Sequence, residues 1–315
     1  NNFEVVIIDD LSNTEKFILK NIEEITGKKP IFYPFDLKRK ELLKQVFDAH
    51  KIEGCIHFAA YKAVGESQEK PIDYYENNLF SLINLLQEMK ERNISNFIFS
   101  SSCTVYGQAD TMPIDENTPL KLPESSYGKT KQMGEEILKD FATAHQKKVT
   151  LLRYFNPIGA HPSAKLGELP IGIPNNLVPY VMQTAAGVRE KLSVWGNDYD
   201  TEDGTAIRDY IYVVDLAKAH VKALQKLISE NSETLVDIYN LGTGKGSSVL
   251  EVVHAFEKAN DVAVPYQICE RRAGDITIAY ANADKAEKEL GWKSETSLEE
   301  ALRTVWQWQK YLETR

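Results

Sequence analysis

Tyr127 and Lys131 stand four residues apart, so on a helix they share one face. A lysine ammonium beside a tyrosine phenol favours the phenolate, and a serine hydroxyl within reach completes an acid/base set able to move a proton on or off a sugar alcohol. Candidate serines lie just upstream, where the apolar run Asn96-Phe97-Ile98-Phe99 ends in Ser100-Ser101-Ser102-Cys103-Thr104. The Tyr-x-x-x-Lys spacing also arises by chance in helices that half-bury the tyrosine and leave the lysine in water. Position favours chemistry here: the serines end a strand, the tyrosine opens the next helix, and open α/β sheets bind ligands off the carboxyl ends of their strands.

Those two elements need a scaffold, and the chain supplies a regular one. Phe3 to Ile8 is a β-branched run ending in Asp9-Asp10, the pattern of a buried parallel strand with a carboxylate at its tip. In a dinucleotide fold such a carboxylate accepts from both adenosine ribose hydroxyls and repels a 2′-phosphate, which favours NAD over NADP; the same residues also read as a solvated strand-end acid. Segment 12–28 reads as a helix with a polar loop, and 31–36 as a strand whose Asp36-Leu37 end is placed to line an adenine pocket. A helix over 38–50 and a strand over 54–60 follow; small residues end that strand, and His57 inside it reads as a core histidine. Residues 62–67 read as a loop, 71–92 as a long helix carrying Asn77-Asn78, and 149–155 as a further strand. This alternation predicts an α/β fold built on a doubly wound parallel sheet.

From Asn156-Pro157-Ile158-Gly159 onward the pattern changes, because Gly and Pro crowd 157–174 and the alternation becomes irregular. We place a cofactor domain at 1–157 and a smaller α/β substrate domain mainly at 158–315, with some later segments returning to the first. Residues 208–215 start a strand-to-helix unit, 238–242 form a strand, and Arg271-Arg272-Ala273-Gly274-Asp275 form a basic-acidic turn. Trp292, Trp306 and Trp308 are expected to pack the C-terminal helices.

Composition narrows the function classes. The 315 residues are 43% hydrophobic, enough for a sizeable core, and a net charge of -9 argues against a polyanion-binding surface. Cys55, Cys103 and Cys269 are few and far apart, which fits reduced cytoplasmic thiols better than a disulfide framework or zinc site. No CxxC or HExxH occurs, so no metal is implied. Every apolar run is far shorter than the roughly 20 residues of a membrane span, and no leader is visible. The chain reads as cytoplasmic. It begins at Asn1-Asn2 and enters a strand almost at once, as expected of a sequence lacking its front end.

Over nearly its whole length the chain resembles the extended short-chain dehydrogenase/reductases, and within them the UDP-galactose 4-epimerase family. The resemblance is carried by six blocks: 57–67 (HFAAYKAVGES), 99–107 (FSSSCTVYG), 127–131 (YGKTK), 153–162 (RYFNPIGAHP), 173–177 (IPNNL) and 203–210 (DGTAIRDY). Tyr-x-x-x-Lys marks only the superfamily, whereas the 153–162 and 173–177 blocks are specific. The resemblance implies a Rossmann-type fold, a tightly held NAD, and interconversion of UDP-galactose and UDP-glucose in galactose use. It implies Tyr127 as the base for the sugar 4-hydroxyl, Lys131 as the group that lowers its pKa and binds the nicotinamide ribose, and Ser102 as a hydrogen-bond partner of the reacting oxygen. Cofactor contacts would come from Asp9, Asp36, Leu37, Phe58, Ala59, Lys62, Asn77, Ser100 and Tyr154, together with Tyr127 and Lys131. Nucleotide-sugar contacts would come from Asn156, Asn176, Leu177, Arg208, Arg272 and Asp275, together with Ser102 and Tyr127. Relatives are commonly dimers that pair through helices of the cofactor domain, so a homodimer is expected.

The sequence also departs from the family pattern. The family's first strand and Gly-x-x-Gly-x-x-Gly turn, which cradle the pyrophosphate, are expected ahead of Asn1. A chain physically starting here is expected to fold poorly, lose NAD and be inactive; the intact remaining blocks point instead to an incomplete record or fragment. Ala60 replaces the usual glycine and Cys103 the usual alanine, both small changes. A 4,6-dehydratase would need an Asp-Glu pair where Cys103 and Thr104 stand. An epimerase or decarboxylase for another nucleotide sugar, or a non-catalytic binding fragment, stays open on the sequence.

Overall fold

A computed structural model describes residues 3–229, 234–272 and 275–315. Its first half alternates short strands with helices: β1 (Val6–Ile8), α1 (Phe17–Thr26), β2 (Ile31–Tyr33), α2 (Lys40–Ala49), β3 (Gly54–His57), α3 (Val64–Glu69), α4 (Pro71–Glu91), β4 (Asn96–Ser100), α5 (Ser126–His145) and β5 (Lys148–Tyr154). The chain continues through β6 (Asn156–Ile158), α6 (Leu177–Ala185), β7 (Leu192–Trp195), β8 (Ile207–Arg208), β9 (Tyr210–Tyr212), α7 (Val213–Ser229) and β10 (Val236–Leu241). It ends with β11 (Ser247–Ser248), α8 (Val249–Asn260), β12 (Tyr266–Cys269), β13 (Ile278–Ala279), α9 (Asp284–Leu290) and α10 (Leu298–Glu313).

The strands of the first half are parallel, as their near-continuous apolar runs predict. Among the described residues they fall into two sheets: β1 pairs with β2, and a four-stranded sheet has the order β10-β5-β4-β3. Period-two alternation along β4 shows why helices must cover both faces. Phe97 and Phe99 bury among Leu82 of α4 and Leu138 of α5, whereas Ile98 buries on the other side among Leu216 and Ala219 of α7. The sheet is therefore wound on both sides. β10 follows the change of pattern at 157, yet it lies beside β5 with Leu241 opposite Tyr154.

Three sequence readings are corrected here. Residues 64–69, read within a loop, form the one-and-a-half-turn helix α3, closed by a Ser67 hydroxyl donating to the Val64 carbonyl at 2.7 Å and a Lys70–Glu66 ion pair at 3.0 Å. The strand read over 31–36 stops at Tyr33, because Pro34 has no N–H for the ladder. The strand read over 54–60 stops at His57, where its pairing with β4 ends.

The other strands of the second half form small pairings of their own. β6 pairs with β9, β7 with β12, and β8 lies between β11 and β13. A second core fills with Val178, Met182, Phe256, Leu302 and Trp308. Ser248 and Glu251 close a capping box at the start of α8. The tryptophans pack as expected: Trp308 donates to the Glu168 carbonyl at 3.0 Å, Trp306 meets Phe256 edge-on, and Trp292 donates to the Asp215 carbonyl at 2.8 Å. All three cysteines are free, and no described helix is long and apolar enough to cross a membrane.

Candidate active site

The carboxyl end of β4 and the first two turns of α5 bring the sequence-predicted trio together. Ser125 caps α5 by accepting from the Gly128 N–H at 3.1 Å, which sets Tyr127 and Lys131 on the turns that face β4. Lys131 donates to the Ser100 carbonyl at 2.6 Å and lies 5.0 Å from the centre of the Phe99 ring. Two glycines permit this close approach: a Cβ on Gly134 would meet Phe99 at 2.7 Å, and one on Gly128 would meet Pro123 at 2.8 Å. Asn78 of α4 pins the helix from the other side, donating to Thr130 at 2.9 Å.

Ser102 begins a 3-10 turn (Cys103–Tyr106) and accepts from the Thr104 N–H at 3.2 Å. The Ser100 hydroxyl hydrogen-bonds the Tyr154 phenol. Tyr127 and Lys131 are both buried. Burial pushes the Tyr127 phenol well above its usual value, with Tyr154 adding to the rise and the Ser102 hydroxyl opposing it. Burial likewise pulls Lys131 down to about 7, with Glu135 opposing. Desolvation and Tyr154 thus act against the ion pair of phenolate and ammonium, and the Ser102 hydroxyl and the Glu135 carboxylate act for it. Cys103 beside them is pushed up to about 12 by burial, with Arg208 opposing and Asp209 adding to the rise. His57 is a core histidine: its ring stacks on Phe99 at 6.1 Å, and burial, then the Lys131 charge, pull it down to about 3.

The residues assigned to a cofactor lie in more scattered settings. Asp9 is exposed at the tip of β1 and accepts from the Leu11 N–H at 2.7 Å, and Asp36 accepts from the Lys38 N–H at 2.8 Å. Leu37 packs toward the core around α2 and α4, and its carbonyl accepts from Asn84 at 3.1 Å. Phe58 is 55% exposed and lies 4.7 Å from the His220 ring, next to Ala59. Asn77 donates to Asn78 at 3.2 Å, so of this pair Asn78 is the one tied to the catalytic helix. Lys62 lines a cleft of about 620 Å³ between residues 60–74 and 168–176. There it meets Glu168 at 2.7 Å, and Glu168 also accepts from Asn176 at 2.9 Å, so one carboxylate joins a residue assigned to the cofactor to one assigned to the sugar nucleotide.

The remaining nucleotide-sugar candidates cluster past β6. Asn156 donates its N–H to the Asp209 carbonyl at 2.9 Å, and Asn176 and Leu177 begin α6. Arg208 donates to the Ile207 carbonyl at 2.8 Å, and Arg272 donates to Asp275 at 2.8 Å; Ala273 and Gly274 of that turn lie outside the described residues. Arg208 and Asp275 both act electrostatically on buried Tyr199, whose hydroxyl has no hydrogen-bond partner among the described residues. The Arg271 guanidinium covers that ring at 4.0 Å. Asp209 is fully buried and ties three segments, accepting from Thr243 and Gly244 after β10 and from Ala281 after β13.

Sequence reasoning missed Asn78, Glu168, Tyr199 and Asp209 as site-building residues. Asp209 lies inside a block already singled out and adjoins Arg208, which is the one local signal available. The others act through partners distant in sequence.

Known proteins share this chain's sequence and fold over nearly its whole length. The GDP-mannose 4,6 dehydratase family matches residues 1–305. A UDP-glucose 4-epimerase of Haemophilus influenzae is 50% identical over 308 residues, covering 98% of this chain and 90% of the relative. One from Bacillus subtilis is 51% identical over 308 residues with the same shares. The crystal structure of UDP-glucose 4-epimerase from Bifidobacterium longum in complex with NAD+ and UDP superposes with a TM-score of 0.94 at 48% identity, covering 98% of this chain and 92% of that one.

Proposed function

Because the chain belongs to the GDP-mannose 4,6 dehydratase family and to the UDP-glucose 4-epimerases, we propose that it interconverts UDP-galactose and UDP-glucose by NAD-dependent reversible oxidation at sugar C4. The observation that carries this reading is the Tyr127–Lys131 pair, buried together at the carboxyl end of β4.

The residues present fit the cofactor by their donor set. An exposed carboxylate, Asp9, stands at a strand tip to accept from ribose hydroxyls; Lys131 and Lys62 offer ammonium groups; and Phe58 offers an exposed ring. Asp36, Leu37, Ala59, Asn77, Ser100 and Tyr154 complete the set. When bound, NAD supplies the hydride acceptor for C4 and the donor for its return.

Tyr127 takes the proton of the C4 hydroxyl as the sugar becomes a 4-keto intermediate, and gives it back on the reverse step. Ser102 orients the reacting oxygen. Lys131 Nζ lies 5.8 Å from the centre of the Tyr127 ring, where its positive charge favours the phenolate that accepts the proton. Arg208 and Arg272 hold the diphosphate in forked geometry, while Asn156, Asn176, Leu177 and Asp275 hold the rest of the nucleotide sugar. A 4,6-dehydratase needs a second acid/base pair, and a thiol pushed up to about 12 at Cys103 does not supply one. We further read the protein as a cytoplasmic homodimer, supported by exposed Phe80 and Ile83 on α4 and Met133 on α5.

Purified protein supplied with NAD and UDP-galactose is expected to yield UDP-glucose in a coupled assay, with no net NADH formed in the epimerisation itself. Absence of UDP-glucose under those conditions overturns the reading.

A further inference from the structure

Arg153 and Glu135 form an ion pair that the proton transfer described above does not use. Their side chains are 2% and 0% exposed. The Glu135 carboxylate accepts from Arg153 Nε at 2.9 Å, Arg153 Nη2 at 2.6 Å and the Ser101 hydroxyl at 2.5 Å. Arg153 also donates to Tyr106 at 3.0 Å, and Tyr106 donates to Asn240 at 2.7 Å. Stability is a weak reason for such a pair, because desolvating two charges offsets most of their attraction.

Its position supplies a better reason. Tyr127, Lys131 and Glu135 follow one another at four-residue steps on α5, so they form one stripe with the lysine in the middle. Adjacent serines at the carboxyl end of β4 hold both ends of the lower step: the carbonyl of Ser100, its last residue, accepts from Lys131, and the hydroxyl of Ser101, just past it, donates to Glu135. Three hydrogen bonds, two from Arg153 and one from Ser101, fix the carboxylate in place.

We propose that Glu135 is a positioning residue that biases the protonation of the Tyr127–Lys131 pair toward ammonium and phenolate. Two arrangements compete, phenol with neutral amine and phenolate with ammonium. The Glu135 charge lies one turn from Lys131 and two from Tyr127, so it favours the second. Other groups around the ammonium do not replace it. His57 of β3 is neutral at working pH, Tyr154 of β5 is hydrogen-bonded to Ser100, Cys103 and Tyr106 of the 3-10 turn are protonated, and Arg153 is itself cationic. Glu66 of α3 is engaged by Lys70 and by Tyr74 of α4. Burial favours the neutral amine, and the Glu135 carboxylate opposes it.

The consequence for turnover rests on the epimerase reading, but the proton placement does not, and the experiment separates them. Tyrosinate absorbance of the cofactor-loaded protein, minus that of its Tyr127→Phe variant, is titrated from neutral to alkaline pH. In Glu135→Gln the tyrosinate step is expected at least about one pH unit higher than in the unaltered protein, because the first proton then leaves Lys131 silently. Glu135→Asp, which keeps the charge, is expected to restore much of the shift. The pH profile of kcat with UDP-galactose should move in the same direction, with KM within about twofold. An unmoved tyrosinate step overturns the proposal whether or not the protein turns over; a moved step without turnover overturns only the epimerase reading. If Glu135→Gln does not fold, Glu135→Gln/Arg153→Met removes both buried charges; its tyrosinate step is expected to rise by less, because a cation is lost with the carboxylate, and an unmoved step overturns the proposal.

Discussion

Lys131 donates to the Ser100 carbonyl at 2.6 Å from a buried position, so an ammonium is held in place by one strong acceptor and deprived of water. Burial pulls its pKa down to about 7, with Glu135 opposing. A lysine whose folded value lies below its unfolded value of about 10.4 destabilises the fold; the penalty is full below the folded value and fades as pH rises through the interval between them. Lys131→Met is therefore expected to raise Tm most below a pH of about 7, with the gain shrinking toward pH of about 10. Thermal melts at stepped pH check this, and a gain independent of pH contradicts it.

Tyr127→Phe removes the proposed base and leaves the ring's packing intact. Turnover of UDP-galactose is expected to fall by roughly 10²–10⁴. UDP binding by calorimetry should stay within about threefold. Near-normal turnover would remove Tyr127 from its role.

Gly134 lets α5 lie close against Phe99 of β4. An alanine Cβ would sit 2.7 Å from the Phe99 ring, so Gly134→Ala must shift either the ring or the helix. Overpacking of this kind costs about 1–3 kcal/mol, read as a lower urea midpoint with an unchanged m-value. Because Phe99 also lies under Lys131, kcat is expected to fall as well.

Arg208 adjoins the buried Asp209 and acts electrostatically on both Tyr199 and Cys103. Arg208→Lys keeps the charge and loses the fork. UDP affinity is expected to weaken by about tenfold by calorimetry, and unchanged affinity would take Arg208 out of the diphosphate site.

Much of this site is legible in the amino-acid order because its logic is local. Helical periodicity alone puts Tyr127 and Lys131 on one face, β-branched runs mark parallel strands, and serines at the end of such a run mark a ligand-facing edge. α3 has little apolar pattern and is held by short-range bonds, Ser67 hydroxyl to Val64 carbonyl and Lys70 to Glu66, so the sequence alone reads it as a loop. The pairing of β10 with β5, the carboxylate hub at Asp209, the Glu168 bridge between Lys62 and Asn176, and the Glu135–Arg153 pair all join residues many positions apart. No local propensity encodes which distant partner a buried charge will find. Residue order alone puts Tyr127 and Lys131 on one helical face; the folded chain supplies their electrostatic setting, because burial and long-range ion pairing, and not residue type, decide how strongly a buried group holds its proton.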